Sequence, residues 1–315
     1  MTTIAVAGGT GGVGKTFVEM LEKQNKFRVV VLSRGAPKQN DASSTLYLQV
    51  DYDDVSAMTK QLEQHNVHTV ISAIGLISEE TSRSQLNLIE AADKSKSTAR
   101  FIPSEFSFIQ TEDLLAVDPS IKFWLNAVEL LKASSLIYTR VIPGFFMDYW
   151  GMPHVKTNLQ PYSFGVDISS RKAAIPGDGN DVICMTYTYD MAQYIIKALD
   201  LDEWPEFSIV VGDQVTYNQI LGMAEEILGE KFDVTYDSIE QIEKGNVTNP
   251  PMPSDLGYSE EELTELTSLV SRLVVNGVFE LPEENRLNEL FPEVKPITMK
   301  DFLEKSWRGT ETHLE

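Results

Sequence analysis

Short runs of aliphatic and β-branched residues alternate with amphipathic stretches through the first half of the chain. Residues 4–7, 28–32, 46–49, 67–73, 99–103 and 137–142 read as strands. Between them, residues 13–22, 55–65, 83–95 and 121–133 place apolar side chains at helical spacing. Asp118-Pro119-Ser120 precedes the last of these helices and offers Ser120 as its N-cap. Strand and helix in alternation predict an α/β fold, a doubly wound parallel sheet covered by helices on both faces.

The pattern loosens after Gly144. Residues 145–181 are rich in aromatics, glycine and proline without a clear period, and read as loops and short pieces around a cavity. A helix over 186–199, a strand over 207–211 and a helix over 217–228 with Thr216 near its cap follow. Three prolines within residues 246–254 separate two further helices, the second spanning about 259–276. The expected organisation is a core over 1–150 and a smaller, partly helical lobe over 151–315, with elements around 184–212 returning to the core.

Charge narrows the range of partners. The 315 residues carry 26 Lys plus Arg against 47 Asp plus Glu, a net charge of −21, which argues against nucleic acid, whose binding needs cations. The acid is uneven. Within residues 1–40 Lys15, Lys23, Lys26, Arg28, Arg34 and Lys38 outweigh Glu19 and Glu22, whereas residues 251–290 hold nine acids and two arginines. A basic start suits an anionic cofactor; the acidic remainder suits solubility and the steering of a cationic amine or a basic protein. Cys184 is the single cysteine, which excludes a disulfide framework and a cysteine-rich metal site and fits a reducing compartment. His65, His68, His154 and His313 are scattered, so no metal site is expected. No apolar run reaches the roughly 18–20 residues of a membrane span, and the N-terminus lacks a secretory leader's pattern. A soluble, cytoplasmic protein without a membrane partner is the expectation.

The strongest local signal is Gly8-Gly9-Thr10-Gly11-Gly12-Val13-Gly14, directly after the first strand and opening the first helix. Glycines there let backbone approach a pyrophosphate, and the helix N-terminus directs N–H groups and its dipole at the anion. The spacing Gly8-x-x-Gly11-x-x-Gly14 differs from G-x-G-x-x-G, but the flanking strands stand where a Rossmann-type βαβ unit needs them. An acid at the end of the second strand would bind the ribose 2′-hydroxyl of NAD; Arg34 stands there instead, with Lys38 shortly after. A guanidinium fork suits a 2′-phosphate, which points to NADP(H). Asp51 and Tyr52, after the third strand, are placed to flank the adenine, and Gly75 to let the fourth strand's end approach the cofactor.

These features, with Arg100-Phe101-Ile102-Pro103-Ser104-Glu105-Phe106 and residues 139–146 (TRVIPGFF), resemble the NmrA-like and isoflavone-reductase-like family of atypical short-chain dehydrogenases. Residues 288–295 (NELFPEVK) and 299–303 resemble the family's closing segment, and residues 145–161 (FFMDYWGMPHVKTNLQP) resemble its fungal members. The resemblance implies a Rossmann core, a substrate lobe and NADP(H) in the cleft between them. It also locates departures. No Tyr-x-x-x-Lys pair occurs in the expected helix, and Tyr194 and Lys197 are three apart in a later one. The lysine that isoflavone-type reductases carry after the Pro-Ser-Glu-Phe segment aligns with Asn126, an amide that cannot titrate; Lys122 lies one turn earlier on the same face.

Candidate chemistry then falls on Glu105, just past the fifth strand, as a general acid or base, with Asn126, Lys122, Asp148 and His154 as further catalytic candidates. Phe106, Phe146, Tyr149, Trp150 and Lys156 are candidates for substrate binding in an aromatic pocket, with Arg140, Tyr187 and Tyr189 as further wall residues. Three functions remain open. The first is NADPH-dependent reduction of a small aromatic or heterocyclic metabolite. The second is a non-redox reaction that keeps the cofactor as part of the pocket, such as a Pictet–Spengler-type cyclisation in alkaloid biosynthesis. The third is an NADP-sensing regulator that binds a protein.

Overall fold

The computed structural model describes residues 1–35, 45–251 and 259–309. They form two compact units. The first comprises Met1–Ile142, Met191–Val210 and Asn285–Val294. Its parallel sheet contains β1 (Thr2–Ala7), β2 (Phe27–Ser33), β3 (Leu46–Gln49), β4 (Val67–Ser72), β5 (Arg100–Ile102) and β6 (Ile137–Tyr138), in the order β3-β2-β1-β4-β5-β6. That is the order of the dinucleotide-binding α/β fold, and the chain reverses direction across the sheet between β1 and β4.

The helices follow from their apolar stripes. α1 (Gly12–Glu22) buries Phe17, Val18 and Leu21. α2 (Val55–Gln64) buries Met58 and Leu62, and α3 (Glu79–Lys94) buries Leu88, Ile89, Ala91 and Ala92. These α2 and α3 residues join Ala5, Ala7, Val30, Val70 and Phe101 of the sheet in one core. At roughly 25 cal/mol per Å² of apolar surface, such burial drives this layer together. α3 begins four residues before the apolar period shows, because Ser78 and Thr81 form a capping box at its start. At α4 (Lys122–Ala133) the expected cap moves. Asp118, not Ser120, caps the preceding 3₁₀ turn, its carboxylate accepting from Ser120 N and Oγ.

One expected strand is broken. Residues 137–142 were to run as a single strand, yet only β6 pairs with β5. After Thr139 the backbone changes partner, and β7 (Arg140–Ile142) pairs in parallel with Phe207–Ile209. Arg140 N–H donates to Glu206 O at 2.7 Å, and Thr139 Oγ1 and Ser208 Oγ lie 2.8 Å apart.

The second unit comprises Pro143–Asp190, Val211–Glu284 and Lys295–Glu315. Where aperiodic loops were expected it contains the strands Val166–Asp167 and Lys172–Pro176 and a short helix, Asp148–Gly151. Lys172–Pro176 pairs in parallel with Asp233–Asp237, a mostly exposed strand. The helix Tyr217–Leu228 has its predicted bounds, with Thr216 in a capping box, and Ser259 likewise caps Glu260–Val275.

Candidate functional site

The glycine loop joins β1 to α1, and its glycines do different work. Gly8 has φ +75°, and a Cβ there would stand 2.4 Å from Ala73 O. A Cβ on Gly14 would meet Gly8 O at 2.3 Å, so this residue lets the helix lie against its own loop. Gly11 and Gly12 have nothing within 4 Å of their Cβ positions and leave open space before the helix. Gly11 is the N-cap of α1 and supplies no side-chain bond to the first N–H groups. Val13 is half-buried in the first turn. Together these make an anion cradle of backbone donors at a helix start. Residues 9–16 also fit G-x-x-x-x-G-K-[ST], the phosphate loop of nucleotide hydrolases. The geometry departs from that loop: the helix already starts at Gly12, and Thr16 is fully buried with Oγ1 on Gly12 O at 3.4 Å.

A cavity of about 510 Å³ opens from this cradle along the ends of β1, β2 and β4. Its lining includes Gly8, Thr10, Ser33, Arg34, Tyr52 and Gly75. Tyr52 is buried and donates its hydroxyl to Leu32 O at 3.2 Å, so it acts as a wall; burial pushes its phenol upward, against the pull of Arg34. Arg34 is mostly exposed, with Glu80 3.9 Å away. Asp51 is exposed and does not line the cavity; its carboxylate accepts from Asp53 N at 2.9 Å within its own turn. Lys38 lies outside the described residues. Ile77 and Thr81 line the cavity as well, in a stretch to which the chain's pattern assigns no element. Thr81 could be sought only once α3 was known to start at Glu79.

Glu105 does not have the environment of a free acid or base. It is buried, and its carboxylate is held by both arms of the buried Arg140, with Arg140 Nε 2.7 Å from Oε2. Arg140 also donates to Gln110 O at 3.2 Å and stacks on the Phe207 ring. Burial pushes the Glu105 carboxyl upward while Arg140 opposes the shift. A bidentate buried pair of this kind can serve as an architectural element. Phe106 packs on Phe17 of α1, with ring centroids 5.5 Å apart. Asn126 is exposed on α4, and the exposed Lys122 is paired with Glu79 at 2.5 Å.

The remaining candidates lie in the second unit. Asp148 is fully buried and accepts from Thr157 Oγ1 at 2.6 Å, Thr188 Oγ1 at 2.7 Å and Thr188 N at 3.0 Å. It thereby fastens the start of the helix Thr188–Ala198. Burial raises its carboxyl and these donors oppose the shift. His154 is exposed and meets Trp307 edge-on at 4.8 Å. Lys156 lies over the Tyr189 ring. Tyr149 joins Phe145 and Phe164 in an aromatic cluster, and the buried Trp150 packs on Phe145 and Tyr217. Phe146 is buried in the strand beside Thr186. Among the described residues no group of three or more His, Cys, Asp or Glu could hold a metal ion, and no helix is long and apolar enough to cross a membrane.

The model of the NmrA-like family matches residues 1–303. The chain belongs to the NmrA-like family. This NmrA-like protein is 32% identical to "Oxidoreductase swnN" of Metarhizium robertsii over 98% of each chain. It is 35% identical to "Oxidoreductase BOA1" of Botryotinia fuckeliana, over 94% of this chain and 96% of that one. Among solved structures, the pinoresinol-lariciresinol and phenylcoumaran benzylic ether reductases superpose with a TM-score of 0.74 at 21% identity, covering 97% of this chain and 100% of theirs. An isoflavone reductase gives 0.72 at 19% identity, covering 96% of this chain and 99% of the other. The Rossmann-type α/β fold is thereby established for the NmrA-like chain.

Proposed function

We propose that this NmrA-like protein is an NADPH-dependent oxidoreductase acting on a small aromatic or heterocyclic metabolite. One observation carries the reading: the cavity that begins at the glycine cradle includes Arg34 at the end of β2. The groups present fit the cofactor. A Cβ on Gly11 or Gly12 would occupy open space that the pyrophosphate needs, and the α1 N–H groups face it uncapped by a side chain. Arg34 supplies a fork of donors for the 2′-phosphate, Tyr52 a wall, and Gly75 an unobstructed approach. When bound, the nicotinamide supplies a hydride; the protein supplies binding and orientation. The relatives named as oxidoreductases and reductases support redox chemistry, and the second unit's aromatic cluster supports an aromatic substrate.

A non-redox reaction is the second reading, favoured by one feature. The position aligned with the reductase lysine is the exposed Asn126, and Lys122 is held by Glu79. Purified protein given NADPH and extracts of its host's metabolites separates the two. Loss of absorbance at 340 nm, where any reduced nicotinamide absorbs, marks the reductase. Product without NADPH consumption marks the non-redox enzyme. Cofactor selectivity has its own test by fluorescence titration. NADPH should bind more tightly than NADH, and Arg34→Ala should weaken NADPH by about tenfold or more, the scale of a lost charged hydrogen bond, with little effect on NADH. Equal wild-type affinities would sink the NADP(H) assignment.

A further inference from the structure

The first turn of α3 carries two adjacent acids that face different cations. Glu79 Oε1 lies 2.5 Å from Lys122 Nζ at the start of α4. Glu80 Oε1 lies 3.9 Å from Arg34 Nη1. The Arg34 and Glu80 side chains remain 74% and 73% exposed, so this contact leaves the guanidinium accessible. Thr81 and Ser84, one and four residues beyond Glu80, line the same cavity as Arg34. The capping box formed by Ser78 and Thr81 fixes the turn that presents them. Glu80 is therefore held by the helix beside whatever Arg34 binds.

We propose that Glu80 is a specificity-determining residue that restrains the preference for NADP(H) by opposing the 2′-phosphate at Arg34. The inference rests on the NADP(H) reading above. An exposed ion pair is weak, so Glu80 does not disable Arg34. A 2′-phosphate seated on the guanidinium brings close to two negative charges within a few ångströms of the Glu80 carboxylate, well inside the roughly 8 Å Debye length at physiological salt. NADH carries a neutral hydroxyl at that place, and a carboxylate there accepts its hydrogen bond. The same acid thus disfavours one dinucleotide and tolerates the other. Arg34 sets the sign of the preference, and Glu80 limits its size.

The test is the dissociation constant of NADPH and of NADH, measured by fluorescence titration at low and high salt on the wild-type protein, Glu80→Gln and Glu79→Gln. Glu80→Gln is expected to tighten NADPH by about three- to tenfold at low salt, as one unit charge removed near a dianion allows. NADH should bind equally well or more weakly, and the gain should shrink at high salt. Glu79→Gln removes the same charge one residue away, but from an acid paired with Lys122, and should move the ratio far less. Equal effects of the two substitutions, or an unchanged NADPH-to-NADH ratio in both Glu80→Gln and Glu80→Ala, would overturn the proposal. The cofactor reading fails by a different result, a wild-type protein that binds NADPH no better than NADH.

Discussion

Arg140 and Glu105 hold opposite charges away from water, and what they do follows from that cost. Desolvating two ions is expensive, and a bidentate geometry with Gln110 O as a third partner offsets it. Removing one member strands the other. Glu105→Leu is expected to lose about 3–5 kcal/mol in urea unfolding, whereas Glu105→Leu combined with Arg140→Met should recover most of that loss. The double variant also addresses catalysis. If it turns over substrate, Glu105 is architecture; a stable but inactive double variant would return it to the reacting groups. At the same scale, the exposed Arg34 and Glu80 sit in water-like dielectric, so their influence is felt in ligand selectivity and hardly in stability.

At the scale of elements, the β1–α1 connection combines close packing with open space. Gly14 is needed because any Cβ would strike Gly8 O, while Gly11 leaves room beyond the helix start. The two should therefore respond differently to the same added methyl. Gly11→Ala should keep the melting temperature within a few degrees, about what a change near 0.5 kcal/mol produces, yet weaken NADPH binding. Gly14→Ala should lower both stability and affinity. Thermal melts paired with titrations decide this, and equal behaviour of the two variants would show that the glycines are interchangeable. The loop after β5 connects to two further elements: Ser104 N–H donates to Gln85 Oε1 of α3 at 2.9 Å, and Phe106 packs on Phe17 of α1. The helices beside the cavity are thus supported from one segment.

Across the whole molecule, half-buried ionisable groups contribute to how stability depends on pH. His65 and His68 are both held below their ordinary value of 6.5, first by burial and then by Arg28 and Arg100 respectively. The unfolded chain therefore takes up protons before the folded one, and their contribution to stability falls as pH drops below about 6.5. Asp190 works in the opposite sense. Burial raises its carboxyl above 3.8, so the folded form binds the proton more tightly and gains stability as pH falls through the raised value. Substitution isolates one contribution. The melting temperature of His68→Asn should fall less between pH 7 and about 5.5 than that of the wild type, since one group that disfavours folding on protonation is gone. Parallel curves for the two proteins would remove His68 from the account.

The α/β class, the glycine cradle, Arg34 at the end of β2 and the bounds of the helix Tyr217–Leu228 are legible in the chain alone. These are local properties. Periodicity, turn chemistry and a strand–glycine–helix order are written in neighbouring residues, and Thr216 or Ser259 caps a helix wherever it folds. Which charges meet depends on the folded chain. Glu105 and Arg140 are 35 residues apart, and Glu80 reaches Arg34, at the end of β2, from the first turn of α3. The fold also breaks the strand over 137–142, because β7 takes the distant strand Phe207–Ile209 as its partner. Desolvation and ion pairing depend on distance in space, which no local pattern encodes, so a carboxylate that reads as a free acid along the chain becomes one half of a buried pair in the fold.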